Sequence, residues 1–245
     1  MKKLSFHKFM EALSDHNFWL SSDGKEGKQA DFSNCDLREA MNEYYDSQGG
    51  LTGWLDFSKV NFSGAKLSYA TLRGNFESCN FEGADLRGVI LKGNFGNCDF
   101  TDTKMSFART ESLNSWEEEY TNFSGSAFLR TDLDMCEFPR SRFNNCLFDS
   151  VLCGGLKIPE SELNDVLIKN CFFKFPDFSG CSFDYPCIGK SVFSKADMSN
   201  TRFRDAIIDD CDFKRSEITF VTFEKSYLKD SAFADAYVEY TDFPH

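Results

Sequence analysis

Residues 72–100 read LRGNFESCNFEGADLRGVILKGNFGNCDF, and within them a large apolar residue returns every five positions, twice after only four. An α-helix repeats every 3.6 residues and a β-strand every two, so neither element by itself produces a period of five. A fixed period of this kind indicates an internal repeat, and a repeat architecture must be considered first.

The period extends outward from this stretch over most of the chain. Every fifth residue in 123–243 is apolar, and the same register covers 57–105 and begins at Phe32 and Leu37. The four-residue steps, from Leu72 to Phe76 and from Leu91 to Phe95, share the letters GNF and are separated by three ordinary steps of the register. We therefore predict the same shortened corner on two successive coils.

A second pattern accompanies these central apolar residues. Two positions before each one stands a small residue, Ala, Cys, Ser or Thr, and the remaining positions are mostly polar. The unit resembles the repeat of the pentapeptide-repeat family, as in ADLRG (84–88) and CDFKR (211–215). The resemblance implies an all-β fold, a right-handed quadrilateral β-helix in which four pentapeptides form one coil. Because one coil cannot bury its own core, stability must come from stacking.

The predicted organisation has two parts. Residues 1–29 are expected to form an N-terminal cap, with a short amphipathic helix within 8–22 that covers the first coil. Residues 30–245 are expected to form the β-helix, interrupted at about 40–55 and 111–120.

The two interruptions differ in what they predict. Segment 40–55 fits one degenerate coil by length, since four pentapeptide steps separate Leu37 from Phe57. Its missing apolar centres and the pair Gly49–Gly50 favour a loop. Segment 111–120 shifts the register, and we predict that it bulges outward, where loops on rigid scaffolds often bind partners.

Composition excludes several classes of function. The formal net charge of −12 disfavours direct binding to nucleic acid, and no apolar run is long enough for a membrane span or a secretory signal. Of ten cysteines, eight occupy the small inward position and Cys153 is a centre, so only Cys187 is expected outside. No C-x-x-C motif occurs, and we predict a cytoplasmic protein without a metal or other cofactor.

Catalysis also finds little support. The three histidines, His7, His16 and His245, lie near the ends of the chain, which disfavours a catalytic triad on the repeat. No Gly-rich phosphate loop precedes a helix. The sequence therefore predicts a protein-binding module and not an enzyme.

Stacking residues that lie four pentapeptides apart predicts two outward surfaces. The first is an apolar stripe, which can mark a homomeric or partner interface or merely strand propensity; its members are Leu147, Leu152, Leu167, Phe172, Val192, Ile207 and Tyr227. The second is an acidic face, which can equally be a solvated surface, formed by Glu137, Asp177, Asp197, Asp209, Asp210, Asp212 and Glu217.

The chain is also similar to the Phe-rich, quinolone-resistance type of pentapeptide-repeat protein. That similarity implies mimicry of duplex DNA and binding to a type II topoisomerase, DNA gyrase or topoisomerase IV. The interruptions would carry the contacts, through Trp54 in the first and through Trp116, Glu117, Glu118 and Glu119 in the second, because a Trp flanked by acids suits a basic groove.

Two expectations remain open beside it. The sequence ends in register at VEYTDFPH, without the C-terminal helix through which those proteins dimerise. A homodimer is therefore expected to form through the apolar stripe or the last coil. The alternative function is a general protein-interaction scaffold, of effector or immunity type, that acts through the apolar stripe.

Overall fold

The computed structural model describes residues 2–47, 56–111 and 120–243. Two helices, α1 (Phe6–Ser21) and α2 (Arg38–Ser47), lie near the start of a long series of short parallel strands. The first six strands are β1 (Lys2–Lys3), β2 (Cys35–Asp36), β3 (Thr71–Asn75), β4 (Ile90–Asn94), β5 (Arg109–Thr110) and β6 (Thr121–Asn122).

The later strands are three residues long, apart from β8. They are β7 (Ala127–Leu129), β8 (Ser141–Arg142), β9 (Leu147–Asp149), β10 (Leu152–Gly154), β11 (Leu167–Lys169), β12 (Phe172–Lys174), β13 (Ser182–Asp184), β14 (Cys187–Gly189), β15 (Val192–Ser194), β16 (Arg202–Arg204), β17 (Ile207–Asp209), β18 (Glu217–Thr219), β19 (Thr222–Glu224), β20 (Tyr227–Lys229) and β21 (Tyr237–Glu239). The predicted β-solenoid is confirmed.

Parallel pairing joins outward residues of successive coils into four ladders, one on each side of the solenoid. We call these sides faces 1 to 4, in the order in which they follow one another along the chain within one coil. Face 1 runs from Asp56 to Asp242, face 2 from Asp31 to Tyr227, face 3 from Asp36 to Ala232 and face 4 from Thr71 to Tyr237. A corner is named by the two faces that it joins. The solenoid is thus four-sided, as the repeat predicts.

Coil length varies along the solenoid. The coil from Asp31 to Asn61 is the longest, because it contains the first interruption, and the next coils, from Asn61 to Asn80 and from Asn80 to Asp99, are each one position short of four pentapeptides. The coil from Asp99 to Ala127 is long again, and the later coils advance by four full pentapeptides, as from Leu147 to Leu167. The shortened corners predicted at the two GNF sequences are confirmed, because Leu72 pairs with Leu91 and Asn75 with Asn94.

The core is a set of apolar columns inside the four faces. Phe76 stacks on Phe57 and Phe95 with ring centroids 4.6 and 4.8 Å apart, close to the spacing between strands. Small inward side chains fill the corners and donate hydrogen bonds, as when Cys79 Sγ donates to Phe57 O at 2.9 Å and Thr103 Oγ1 to Phe81 O at 2.8 Å. The small position therefore suits Cys, Ser and Thr as weak donors as well as by size.

Helix α1 covers the first coil. Phe9 and Leu13 are buried, and the Phe9 ring lies 5.2 Å from that of Phe32. His16 is also buried: its Nδ1 accepts a hydrogen bond from Ala30 N at 3.1 Å, and its Nε2 donates to Ser58 O at 2.8 Å. The predicted amphipathic helix is present, and His16 fastens it to the repeat.

Helix α2 lies within the first interruption, where the sequence favoured a loop. Over 40–47 that expectation is wrong, and 48–55 lies outside the described residues. Leu37, Ala40, Met41 and Tyr44 follow a helical spacing and are buried, and α2 contacts β3. The segment adds no β-coil because the repeat's period gives way here to the period of a helix.

Candidate interaction surfaces

Several irregular features of the described solenoid fall at the corner between faces 4 and 1, whereas helix α2 follows the face 3 residue Asp36. The shortened steps run from face 4 to face 1 at Gly74 and Gly93, whose φ angles of 143° and 121° favour glycine. Segment 112–119 leaves after the face 4 residue Arg109 and returns before the face 1 residue Asn122. Segment 48–55 returns at Asp56, also on face 1.

The described residues beside these segments are polar and ordered by hydrogen bonds. An amide ladder follows face 1, in which Asn75 Nδ2 donates to Asp56 Oδ1 at 3.0 Å and Asn94 Nδ2 to Asn75 Oδ1 at 3.0 Å. Asn122 Nδ2 extends it to Asn94 Oδ1 at 2.8 Å. Glu111, just before segment 112–119, pairs with Arg73. The predicted contact residues Trp54, Trp116, Glu117, Glu118 and Glu119 lie outside the described residues.

Cations accompany this corner as well. Lys92 Nζ lies 3.9 Å from Glu111 Oε2, and the Arg142 guanidinium carbon lies 4.5 Å from the centre of the Tyr120 ring. Arg142 is in turn paired with Glu162, with Nε and Oε2 3.4 Å apart. The residues that flank segment 112–119 are therefore of mixed charge.

The predicted acidic face does not form one surface. Glu137, Asp177, Asp197 and Glu217 lie on face 4, together with Lys157, whose Nζ is 2.8 Å from Glu137 Oε1. Asp209, Asp210 and Asp212 lie instead on face 2, at the 2/3 corner and on face 3. Proximity in sequence was misleading because each pentapeptide carries the chain to the next side of the solenoid.

The apolar stripe is in register but divided. Leu147, Leu167, Ile207 and Tyr227 lie on face 2, and Leu152, Phe172 and Val192 lie on face 3. The corner between the two rows carries polar residues, Ser150, Asn170 and Lys190. Leu147 and Val192 are half-buried, and the other five are exposed.

Sequence analysis missed a further exposed row at the 3/4 corner. Tyr69, Phe107, Met135 and Phe175 lie there with positive φ angles, and Gly88 and Gly155 occupy the positions between them in the same row. The signal was available, because all four stand two positions after a centre. The predicted surfaces included mainly outward positions directly before the centres, whereas this row lies at a corner.

Thiol chemistry is suppressed in the core. Burial raises the pKa of Cys98, Cys146 and Cys181 to about 12 and also raises that of Cys79. Nine cysteines are buried and Cys187 is exposed, as predicted. Among residues 2–47, 56–111 and 120–243, no cluster of three or more His, Cys, Asp or Glu side chains could hold a metal ion.

The histidine of the cap is similarly occupied. Both ring nitrogens of His16 are engaged by backbone groups, which leaves it to a structural role. In the part of the chain that the structure describes, neither helix is long and apolar enough to cross a membrane.

Comparison with known proteins agrees with this architecture. The family model for pentapeptide repeats matches residues 56–93 and 177–215. HetL, a pentapeptide-repeat protein involved in heterocyst differentiation regulation in the cyanobacterium Nostoc sp. strain PCC 7120, superposes with a TM-score of 0.56, at 12% identity over 92% of each chain. That likeness shows the fold.

Weaker matches include QnrB1, a plasmid-mediated fluoroquinolone resistance protein. Its full-length structure has a TM-score of 0.27 at 14% identity, covering 64% of this chain and 84% of QnrB1. A trypsin-treated form gives 0.29 at 16% identity, covering 74% and 81%. A search of curated proteins gave no significant match. The five-residue register, the four-sided solenoid and the family model over 56–93 and 177–215 make this chain similar to pentapeptide-repeat proteins.

Proposed function

We propose that this chain is a cytoplasmic, non-enzymatic binding protein that occupies the DNA-binding groove of a type II topoisomerase, DNA gyrase or topoisomerase IV, as a mimic of duplex DNA. The observation that carries the proposal is the distribution of charge on a rigid rod. We count the charged side chains of each face together with those of the corner that follows it. Among the residues that the structure describes, carboxylates outnumber basic side chains on faces 1, 2 and 4. A groove built to hold phosphates favours such a surface.

The location of the interruptions adds to the proposal. In the chain, segment 112–119 is flanked by Arg109 of face 4 and Asn122 of face 1, and segment 48–55 is followed by Asp56 of face 1. Trp54, Trp116 and Glu117–Glu119 are the residues that we propose for the contacts, with Trp as the apolar anchor and the acids facing basic side chains. No cofactor enters this function.

The test is a supercoiling assay of DNA gyrase with a quinolone present, in which the protein is titrated against drug-induced cleavage complexes. We expect rescue at roughly equimolar protein, lost when Glu117, Glu118 and Glu119 are changed to Lys. The control reverses three acids elsewhere, Asp209→Lys, Asp210→Lys and Asp212→Lys. Equal loss in both variants would show that only the overall charge matters, and no rescue by the native protein at large excess would refute the proposal.

A second candidate function is a protein-interaction scaffold that acts through the apolar stripe. The exposed face 2 residues Leu167, Ile207 and Tyr227 favour it, because they belong to one parallel sheet, β7–β9–β11–β14–β17–β20. Leu147→Asp with Leu167→Asp should then abolish any homodimer in sedimentation and leave the gyrase assay unchanged. High salt separates the two functions, since it weakens charge mimicry and spares apolar docking.

A further inference from the structure

The 3/4 corner carries large apolar side chains in a conformation that disfavours them. Tyr69 and Phe107 have φ angles of 60° and 61° and are 78% and 64% exposed, and Met135 and Phe175 are also exposed at 54° and 55°. Left-handed backbone costs a residue with a bulky side chain about 1 kcal/mol, and Gly, Asn and Asp are tolerated there. Because the four side chains are exposed, core packing does not offset this cost.

Glycines in the same row let the side chains lie along the rod. A Cβ on Gly88 would come within 2.7 Å of the Tyr69 ring, and one on Gly155 within 2.6 Å of Met135 Sδ. The ring of Tyr69 therefore lies over Gly88 toward Phe107, and Met135 lies over Gly155 toward Phe175. The result is an apolar ridge of four side chains that continues into the exposed face 3 residues Leu152 and Phe172.

Cations without an ion pair gather around this ridge. Lys66, Lys104 and Lys174 of face 3, Lys195 of the corner and Arg109 of face 4 have no described carboxylate within ion-pair distance. Lys66 and Lys104 do attract Asp36 and Asp85 of the same face, and this attraction helps to lower the pKa of each carboxyl. Lys174 Nζ and Lys195 Nζ lie 5.2 and 4.9 Å from the centre of the Phe175 ring. Elsewhere cations are mostly paired, as Arg130 is with Asp102 at 2.7 Å. Face 3 with its corner is also the side on which described carboxylates do not outnumber basic side chains.

We propose that the 3/4 corner binds an extended, acidic peptide segment with apolar side chains. The ridge supplies the apolar contact, and the unpaired cations supply charge complementarity on a chain that is otherwise acidic. From Tyr69 to Phe175 the ridge spans five coil steps, about 24 Å, which matches about seven residues of extended chain. Asp132 and Asp134, also on this side, disfavour a continuous row of phosphates. The proposal is independent of the topoisomerase function, since it uses another corner and a partner of opposite charge.

Selection from a phage-displayed library of random linear peptides tests this assignment. The full chain is compared with a variant carrying Phe107→Asn and Phe175→Asn, because Asn tolerates positive φ and should preserve the fold. We expect the native chain to enrich peptides that combine Asp or Glu with aromatic or aliphatic residues, and the variant to lose that enrichment. Enrichment without acidic residues, or the same peptides from both proteins, would overturn the proposal.

Affinity measurements on the best selected peptide sharpen the test. Lys104→Glu with Lys174→Glu should weaken binding by about tenfold or more. Matched controls at other corners, Lys190→Glu, also a cation without an ion pair, and Tyr185→Asn, an exposed aromatic residue at φ 56°, should leave affinity unchanged. Equal weakening by the controls would overturn the assignment, as would binding of poly(U) RNA at this corner in place of the peptide.

Thermal unfolding separates binding from structure. If the ridge exists for binding, Phe107→Asn and Phe175→Asn leave the melting temperature unchanged or raise it, because they relieve left-handed strain. A fall of several degrees, with selected peptides unchanged, would assign the ridge a structural role and overturn the proposal.

Discussion

Face 2 changes character along its length. Its first four outward residues, Asp31, Asn61, Asn80 and Asp99, pair only through isolated bridges. Each side-chain oxygen accepts the N–H two positions on, as Asn80 Oδ1 does from Glu82 N at 2.8 Å. From Ala127 onward the residues are mostly apolar, and they form a continuous parallel sheet from β7 to β20. The centres beneath both regions are buried and apolar.

The comparison teaches that the inward pattern builds the coil and the outward residue selects its local backbone. Asn and Asp offer a side-chain hydrogen bond that tightens the turn and competes with the ladder. Apolar and β-branched residues lack this option and favour a strand. Faces 3 and 4 show the same contrast at some positions, since Asp132 and Asp197 form bridges where Leu152 and Glu217 lie in strands. Lys66, Lys104 and Lys157 also form isolated bridges, so the rule covers only part of these faces.

This rule bears on the apolar stripe. The stripe residues on face 2 belong to the parallel sheet from β7 to β20, so part of the stripe's apolar character is explained by the preference of apolar residues for strands. The aromatic residues at the 3/4 corner have no such explanation, since a left-handed corner does not favour them.

The largest effect is expected from the core that both regions share. Phe81→Ala removes a ring stacked 5.0 and 5.2 Å from Phe62 and Phe100 and should cost about 3–5 kcal/mol. Chemical denaturation measures this loss. The neighbouring surface variant Glu82→Ala should change stability by less than about 0.5 kcal/mol. Similar effects from both variants would refute the shared core.

A smaller loss of stability is expected from a change in the N-terminal cap, which covers the first coil of the solenoid. His16→Ala leaves Ala30 N and Ser58 O without their partner and should cost about 1–3 kcal/mol. Hydrogen exchange should rise near 30–61 and remain unchanged near 207–227. If amide hydrogens along the whole chain lost protection from exchange to the same extent, the two ends of the solenoid would unfold together.

Acidification should act through the same histidine. Burial lowers the pKa of His16, so the unfolded chain binds the proton more readily than the folded one. The stability that neutral, buried His16 contributes is therefore fully present above the ordinary histidine pKa of about 6.5 and is lost progressively as the pH falls below it. The native protein should therefore lose stability as the pH falls below about 6.5, and His16→Ala should flatten that slope.

The side-chain hydrogen bonds of Asn and Asp in the turns of face 2 should each contribute about 1 kcal/mol to the free energy of unfolding. Asn80→Ala removes the hydrogen bond to Glu82 N and should lower the free energy of unfolding by about that amount. Leu167→Ala, on the same face within the sheet, has no such bond and should lose less than about 0.5 kcal/mol. Equal losses would break the distinction between the two regions.

The smallest change concerns reactivity alone. At about pH 8 one thiol, that of Cys187, should react quickly with a thiol reagent, because burial keeps the other pKa values high. Cys187→Ser should remove that fast phase and leave stability unchanged. A second fast thiol in the native protein would show that the core opens.

The sequence by itself determined the periodic part of the protein. The five-residue register specifies which residues point inward, that coils stack and that Cys187 is the outward thiol, and its two four-residue steps specify where the corners shorten. It could do so because inward and outward positions follow from the backbone period alone. The spacing of Phe9, Leu13 and His16 also predicted the helix of the cap.

Only the tertiary structure decided the rest. Helix α2 takes the place of a loop because Leu37, Ala40, Met41 and Tyr44 find a buried surface against the first coils. Asp209, Asp210 and Asp212 separate from the acids of face 4 because the solenoid turns a corner with every pentapeptide. The 3/4 ridge and its unpaired cations arise from residues a full coil apart in sequence, and only coil stacking brings them together.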